Sequence, residues 1–203
     1  MIRSTLITSM VLASAALSQT RTFVPAAEAT VDAAGFETFP FNDAVPNPGR
    51  LMYVQDSGMF VDAGINQGPI IIREIRLRLD NAFGDTWAGG TDPSFTLDLS
   101  TSQTDFMSAD PTFDNNHGTD RVRVFQGPLT IPGGSTSGDG TPGPLAIVLP
   151  LATPFEYDPS LGNDLVLDFT YSGQQPADWC TWHDEAVGFV TPPSPDARGA
   201  QLG

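Results

Sequence analysis

The sequence predicts an all-β protein, an antiparallel β-sandwich that is jelly-roll-like, and three observations lead to this class. Glycine and proline account for 20 and 18 of the 203 residues, which suits a fold with many turns and disfavours long helices. Several short segments alternate apolar and polar residues, the pattern of half-buried strands. No repeat with a period of about 20–50 residues is visible, which disfavours propellers and solenoids.

The clearest strands lie between residues 144 and 171, where two apolar-alternating runs flank a corner. In the second run one parity is apolar and predicts a buried face, whereas the other parity contains Asp168 and predicts a wetter face. The corner from residue 153 to 163 contains two prolines, a glycine and an asparagine. These residues fix or invert the backbone φ angle, so a turn is expected there rather than a helix.

The other strands are predicted upstream and downstream of this region. They cover an edge strand with Phe36, Phe39 and Phe41, then residues 50–55, 70–80, 95–100, 121–125 and 129–131, and a last short strand at 187–190. Segments 56–68, 81–93 and 132–143 are rich in glycine or proline and are predicted to be loops. Trp87 falls in the second of these loops.

The strand predicted over residues 70–80 changes the parity of its apolar residues at Arg73 and Glu74. A β-bulge at that point would keep five apolar side chains facing inward, those of Ile70, Ile72, Ile75, Leu77 and Leu79. On the opposite face, Arg76 or Arg78 has the parity to pair with Asp98 if the two strands are neighbours.

The N-terminal residues 1–18 are predicted to be a secretory signal peptide. Arg3 precedes an apolar run over residues 6–17, and small residues follow it, as is typical of such peptides. The run is too short to cross a bilayer, and no other stretch could cross one, so no membrane span is expected in the mature chain. We expect a protein that is secreted, extracellular or on the cell surface. Cleavage after Ala15, Ser18 or Ala29 would satisfy the small-residue rule.

The chain length suits one domain. We expect a single β-sandwich domain over residues 30–190 and a proline-rich tail over residues 191–203. The lone Cys180 cannot form an intramolecular disulfide, so it is expected either to be buried or to form an intermolecular disulfide with another chain.

The charge of the chain excludes some partners. The formal net charge is −15, and all the basic residues are arginines. Nucleic acid and anionic membranes are therefore disfavoured as partners. The acidity suits high ionic strength, divalent cations or the ordinary solvation of a secreted surface.

Several sequence blocks resemble a family of uncharacterised exported bacterial proteins, many of which carry a PEP-CTERM sorting tail. The blocks are RLMYVQDSGMF from Arg50, GPIIIREIRLRLD from Gly68, FTLDLSTS from Phe95, FDNNHGTDRVRVFQGPL from Phe113 and LATPFEYDPSLGNDLVLD from Leu151. The resemblance implies an exported single-domain β-sandwich and brings no activity or catalytic residue with it. Residues 197–203 lack the Pro-Glu-Pro motif and apolar span of the tail, so anchoring by that route is not expected.

The segment over residues 110–120 is the chemically richest loop. Asp114, Asn116 and Asp120 could supply oxygen ligands to Ca²⁺ if the loop turns back on itself. Their spacing is not that of an EF-hand, and aspartate and asparagine are also common in turns because they cap the backbone. A calcium site and turn chemistry are therefore both open.

Trp179 and Trp182 form a second candidate site, with Trp87 as another aromatic candidate. Exposed tryptophans on a β-sandwich can stack on sugar rings, which would make the chain a carbohydrate-binding module with a polysaccharide partner. Buried tryptophans would instead fill the core.

No catalytic motif stands out. Cys180 and His183 would need further ligands for zinc and face opposite sides of an extended chain, which disfavours a Cys–His nucleophile. A Ser-His-Asp triad would have to use His117 or His183, and no G-x-S-x-G motif is present. The sequence therefore favours a non-catalytic structural or adhesive module over a carbohydrate-binding module stabilised by calcium, and both over an extracellular hydrolase.

Overall fold

The computed structural model describes residues 20–32, 35–37, 48–173, 180, 183–185 and 199–202. The strands in this part of the chain are β1 (Gly35–Glu37), β2 (Gly49–Gln55), β3 (Ile70–Leu77), β4 (Thr86–Thr101), β5 (Val122–Ser135), β6 (Ile147–Tyr157), β7 (Leu165–Tyr171), β8 (His183–Glu185) and β9 (Gly199–Leu202). A six-residue helix, α1 (Ser57–Asp62), and 3₁₀ turns at Ala26–Ala29, Phe106–Ser108, Phe113–Asn115 and Pro159–Leu161 complete the described elements. The prediction of an all-β protein is confirmed.

The strands form antiparallel sheets. A large sheet has the strand order β5-β4-β7-β2-β9, a small sheet consists of β3 and β6, and β1 pairs with β8. All the pairings are antiparallel, and the large and small sheets share one apolar core, so the fold is sandwich-like. The jelly-roll order of strands stays a prediction.

The main core lies between the large and small sheets. Leu97, Ile147 and Phe169 are completely buried there, and Ile75 packs against them from β3. Aromatic rings contribute edge-on contacts, such as that of Tyr53 with Phe169 at 5.9 Å between centroids. The predicted inward faces of these strands are confirmed.

The ladder between β3 and β6 is irregular where the sequence predicts a bulge. Its register shifts between Ile72, opposite Phe155, and Glu74, opposite Pro150, so most of the extra residues belong to β6. The apolar residues of β3 on both sides of the shift pack against the main core, as predicted.

The two apolar runs around residues 144–171 form β6 and β7, as predicted, but they belong to different sheets. The corner between them crosses from one sheet to the other through the turn Pro159–Leu161. Gly162 follows with φ of 76°, which a side chain would disfavour. The glycine therefore ends the turn and lets the chain enter β7.

The predicted loop over residues 81–93 is wrong in its second half, because β4 begins at Thr86. Trp87 is buried in that strand, stacked over Gly134 of β5, and its Nε1 donates to the Pro132 carbonyl at 2.7 Å. The strand predicted at 129–131 is part of the continuous β5. The absence of a side chain at Gly134 leaves the room that the Trp87 ring occupies.

Residues 56–68 are predicted to be a loop, but they contain the helix α1. The Asp56 side chain accepts from the Gly58 backbone N–H at 2.7 Å, as an N-cap does. Met59 and Phe60 then bury one side of the helix in the core.

Described residues on both sides of the predicted domain, 30–190, contact the fold. Val24 packs against the main core before residue 30, and β9 pairs with β2 after residue 190. The signal peptide 1–18, Phe39, Phe41 and the strand predicted at 187–190 lie outside the described residues. None of the helices in the described residues has the length and apolar character that crossing a membrane requires.

Candidate functional site

The outer face of the large sheet is covered by residues 102–121, which we call the cover loop. Beneath it, Met52, Val54, Phe106 and Val166 form a second, smaller apolar cluster. The carboxylate of Asp164 fixes the loop, because it accepts from the backbone N–H groups of Ser57 at 2.8 Å and Phe106 at 2.7 Å. The prediction that this face of β7 is wetter is therefore wrong.

Charged side chains meet under and beside the cover loop. This ion cluster consists of three arginines and three aspartates: Arg50, Asp98, Asp114, Arg121, Arg123 and Asp168. Asp98 and Asp168 are directly opposite each other on β4 and β7 and are only 5% and 2% exposed. Like charges in that position destabilise a sheet. The arginines offset this repulsion and make the ion cluster neutral overall.

Asp168 has the most partners in the ion cluster. Arg50 donates to its two oxygens from Nε at 2.8 Å and from a terminal nitrogen at 2.6 Å, and Arg121 donates at 3.0 Å. Burial pushes the pKa of Asp168 upward, but hydrogen bonds from Arg50 and His117 outweigh it and hold the pKa below its ordinary value. The hydrogen bonds to Asp168 also raise the pKa of Arg50. Asp168 is therefore an anion at neutral pH.

The other two aspartates connect the arginines. Asp98 accepts from Arg121 at 2.9 Å and also from Arg123, and these bonds outweigh burial and lower its pKa. Asp114 bridges Arg50 at 2.8 Å and Arg121 at 2.9 Å, which lowers its own pKa. Its side chain is 69% exposed. We call the buried Asp98 and Asp168 the floor of the ion cluster and the exposed Asp114 its rim.

His117 links the ion cluster to a buried hydroxyl. Its Nε2 lies 2.9 Å from Asp168, and its Nδ1 lies 2.7 Å from Ser100 Oγ. Because a carboxylate only accepts, Nε2 donates to Asp168, and Nδ1 is hydrogen-bonded to the Ser100 hydroxyl. The structure thus assembles a serine, a histidine and an aspartate in one chain of hydrogen bonds.

This arrangement differs from that of a serine hydrolase in two respects. In the hydrolase template the histidine faces serine through Nε2 and aspartate through Nδ1, the reverse of the ring orientation here. Ser100 is also completely buried and His117 nearly so, so no substrate carbonyl can approach the hydroxyl. Its chemistry here is to satisfy buried polar groups.

The three residues of the predicted calcium site have separate roles. Asp114 faces two arginines, whereas Asn116 is buried and its side-chain oxygen accepts from Thr104 and from the Asp110 backbone, both at 2.8 Å. Asp120 accepts from the Thr101 hydroxyl at 2.6 Å. Within the described ranges, no three histidine, cysteine or acidic side chains are grouped to hold a metal ion. Calcium binding stays a prediction.

The remaining predicted residues are distributed as follows. Trp179 and Trp182 lie outside the described residues. Cys180 is buried in the main core, so an intermolecular disulfide would require this region to open. The predicted pairing of Arg76 or Arg78 with Asp98 is wrong, because Arg76 pairs with Glu74 at 2.6 Å.

An open groove lies at the other side of the large sheet, where the inner faces of β2 and β7 extend beyond β3. It has a volume of about 1460 Å³, and its apolar wall includes Tyr53, Phe60, Ile72 and Leu167. Tyr53, Phe60 and Leu167 are themselves no more than 7% exposed, whereas Ile71 of β3 is 46% exposed. The apolar surface that a ligand can reach therefore lies mainly along β3.

Charge along the groove differs from that of the chain. Four arginines and two glutamates line it, Arg21, Arg73, Arg76, Arg78, Glu28 and Glu74, which gives a local net charge of +2 on a chain of −15. Arg78 is buried and donates to the carbonyls of Glu28 at 2.6 Å and Val31 at 2.8 Å. This arginine attaches the N-terminal segment to the groove's side.

The protein is therefore all-β and sandwich-like, with a partly buried ion cluster on one side of the large sheet and an open groove on the other. Compared with known proteins, the chain matches no family model, no curated protein and no solved structure.

Proposed function

We propose that this chain is a secreted, non-catalytic β-sandwich module that acts by adhesion to a partner in the extracellular space or on a cell surface. The observation that supports the proposal is the contrast between the two regions. The groups suited to acid–base or nucleophilic chemistry are buried, namely Ser100, His117 and Asp168, whereas the groove is open to solvent. Such a groove is suited to binding.

The proposal that the chain is exported rests on the sequence. The apolar N-terminal run has the pattern of a signal peptide, and the sequence blocks resemble exported bacterial proteins. The acidic composition, −15 in 203 residues, suits a solvated surface outside the cell.

Carbohydrate binding has less support from the described residues. Trp87 is buried and hydrogen-bonded, so it offers no ring face to a sugar. That function depends on Trp179 and Trp182 and stays a prediction for those two residues.

An adhesion assay with two matched variants tests the proposal. Plates are coated with the chain lacking residues 1–18, and adhering cells of the producing organism are counted. Ile71→Asp places a charge in the groove on a side chain that is 46% exposed, and Leu161→Asp makes the same change on a 71% exposed side chain outside it. We expect adhesion to the wild type and to Leu161→Asp, and its loss with Ile71→Asp.

Ester, peptide and glycoside substrates are tested in parallel with the same preparations. Adhesion no greater than to an albumin-coated plate would contradict the proposal. Substrate turnover that disappears in a His117→Ala variant would also contradict it, because it would assign chemistry to the ion cluster.

A further inference from the structure

We propose that the groove binds an acidic, extended peptide segment of a partner protein, which adds a strand to the free edge of β3. This inference rests on the proposed adhesive function and names the chemistry of the partner.

The first support is the edge of β3 itself. β3 pairs with β6 on one side, and no described strand pairs with its other side. An eight-residue strand presents backbone donors and acceptors along such an edge. An extended peptide satisfies those groups by main-chain hydrogen bonds, which is the way peptides commonly bind to sheet edges.

The second support is the shape of the groove beside that edge. All of β3 lines the groove, and its Ile71 is 46% exposed, whereas Tyr53, Leu165 and Leu167 at the base of the groove are buried in the main core. A peptide strand placed at the edge would put alternate side chains on the same face as Ile71. The partner segment is therefore expected to alternate apolar residues with the acidic ones.

The third support is charge. Arg73 is exposed near the middle of β3 and makes no ion pair with any described residue, whereas Arg76 is already paired with Glu74. Together with Arg21 it gives the groove positive charge on a strongly acidic chain. A carboxylate on the added strand can accept from the Arg73 guanidinium.

A second copy of this chain fits the same edge poorly. Two antiparallel β3 edges would bring their Arg73 side chains onto one seam, and each copy carries a net charge of −15. Like charges disfavour that pairing. The charge pattern therefore selects a different, acidic chain.

Binding of synthetic peptides tests the inference. The probe is a fluorescein-labelled eight-residue peptide of alternating glutamate and valine, and its anisotropy is followed as the chain without residues 1–18 is added. Two comparison peptides replace glutamate by lysine or carry N-methyl groups on alternate backbone nitrogens. We expect saturable binding of the acidic peptide, weakened by salt, and no binding of either comparison peptide.

Two variants that lower the net charge by the same amount sharpen the test. Arg73→Gln removes one positive charge from the groove, and Gln126→Glu adds one negative charge at an exposed position of β5, away from it. We expect about tenfold weaker binding with Arg73→Gln, since a charge-assisted hydrogen bond is lost, and wild-type binding with Gln126→Glu.

Three results would overturn the inference: equal binding of the lysine peptide, equal binding of the N-methylated peptide, or a dimer in size-exclusion chromatography that Ile71→Asp dissociates. If peptide binding fails while cell adhesion still depends on Ile71, this inference falls and the adhesive function stands. If adhesion fails as well, both fall.

Discussion

The two faces of the large sheet bury their side chains in different ways, although the same strands build both. On the inner face, β4 and β7 bury Leu97 and Phe169 among apolar neighbours; on the outer face, the alternate residues Asp98 and Asp168 are buried among arginines. Apolar burial requires volume and shape, whereas a buried charge requires a particular partner. The comparison teaches that the inner face tolerates conservative exchange and the outer face does not.

The largest effect is expected when the floor of the ion cluster loses its charge. Asp168→Asn leaves Arg50 and Arg121 without their shared carboxylate, and removing one partner of a buried pair destabilises by about 3–5 kcal/mol. Urea denaturation measures the change. The control is Asp114→Asn at the exposed rim, where we expect a much smaller loss because exposed ion pairs contribute little to stability. Equal losses at the two positions would remove the distinction between floor and rim.

On the inner face, shortening an apolar side chain should lower the free energy of unfolding somewhat less. The loss should depend on the volume that is removed. Leu167→Ala is expected to destabilise by about 3 kcal/mol through lost burial and a cavity. Leu167→Met keeps the volume and is expected to cost less than about 1.5 kcal/mol. The same denaturation experiments at low and high salt should give the same differences, and a strong salt dependence would contradict apolar burial.

Acid should weaken the outer face first. The pKa values of Asp98, Asp114 and Asp168 are lower in the folded chain than their ordinary value of 3.8. Their contribution to stability is therefore present above that pH and is lost as the pH falls below it through the folded-state pKa values.

The raised pKa of Asp164, caused mainly by burial, acts in the opposite sense, because its contribution falls as the pH rises above 3.8. Denaturation midpoints of the wild type and Asp168→Asn, measured from about pH 7 to about pH 2, should converge at the acid end. A constant difference across that range would show that Asp168 stabilises the fold by some means other than its charge.

The smallest effect is expected at Ser100. Ser100→Ala removes the hydroxyl that is hydrogen-bonded to His117, and the loss of one buried hydrogen bond costs about 1–2 kcal/mol. Adhesion should stay the same and no substrate should be turned over, because the hydroxyl is completely buried. Thermal unfolding together with the substrate tests described above checks both parts.

The sequence alone predicts those features of the fold that a local residue pattern determines. The irregularity of β3 follows from a parity change between Ile72 and Ile75, and the turn before β7 follows from its prolines and glycine. The glycines and the proline around Trp87 predict a loop. In the structure these residues lie in a strand, β4, whose register shifts beside Asp92.

The ion cluster could not be found in the same way. Its members Arg50 and Asp168 are 118 positions apart, and the alternation in β7 correctly separates two faces without showing that the cover loop buries both. The one available signal was Asp168 itself, a charged residue in the middle of an apolar strand. Such a residue indicates either solvent or a paired charge, and only the fold distinguishes them.

The facing carboxylates of Asp98 and Asp168 have a consequence for protein engineering. A chimera that exchanges residues 102–121 for a short connection would also remove Arg121, the arginine that contacts both carboxylates, and leave Asp168 to Arg50 and Asp98 to Arg123. A loop grafted at this position should therefore bring a cation of its own that contacts both aspartates.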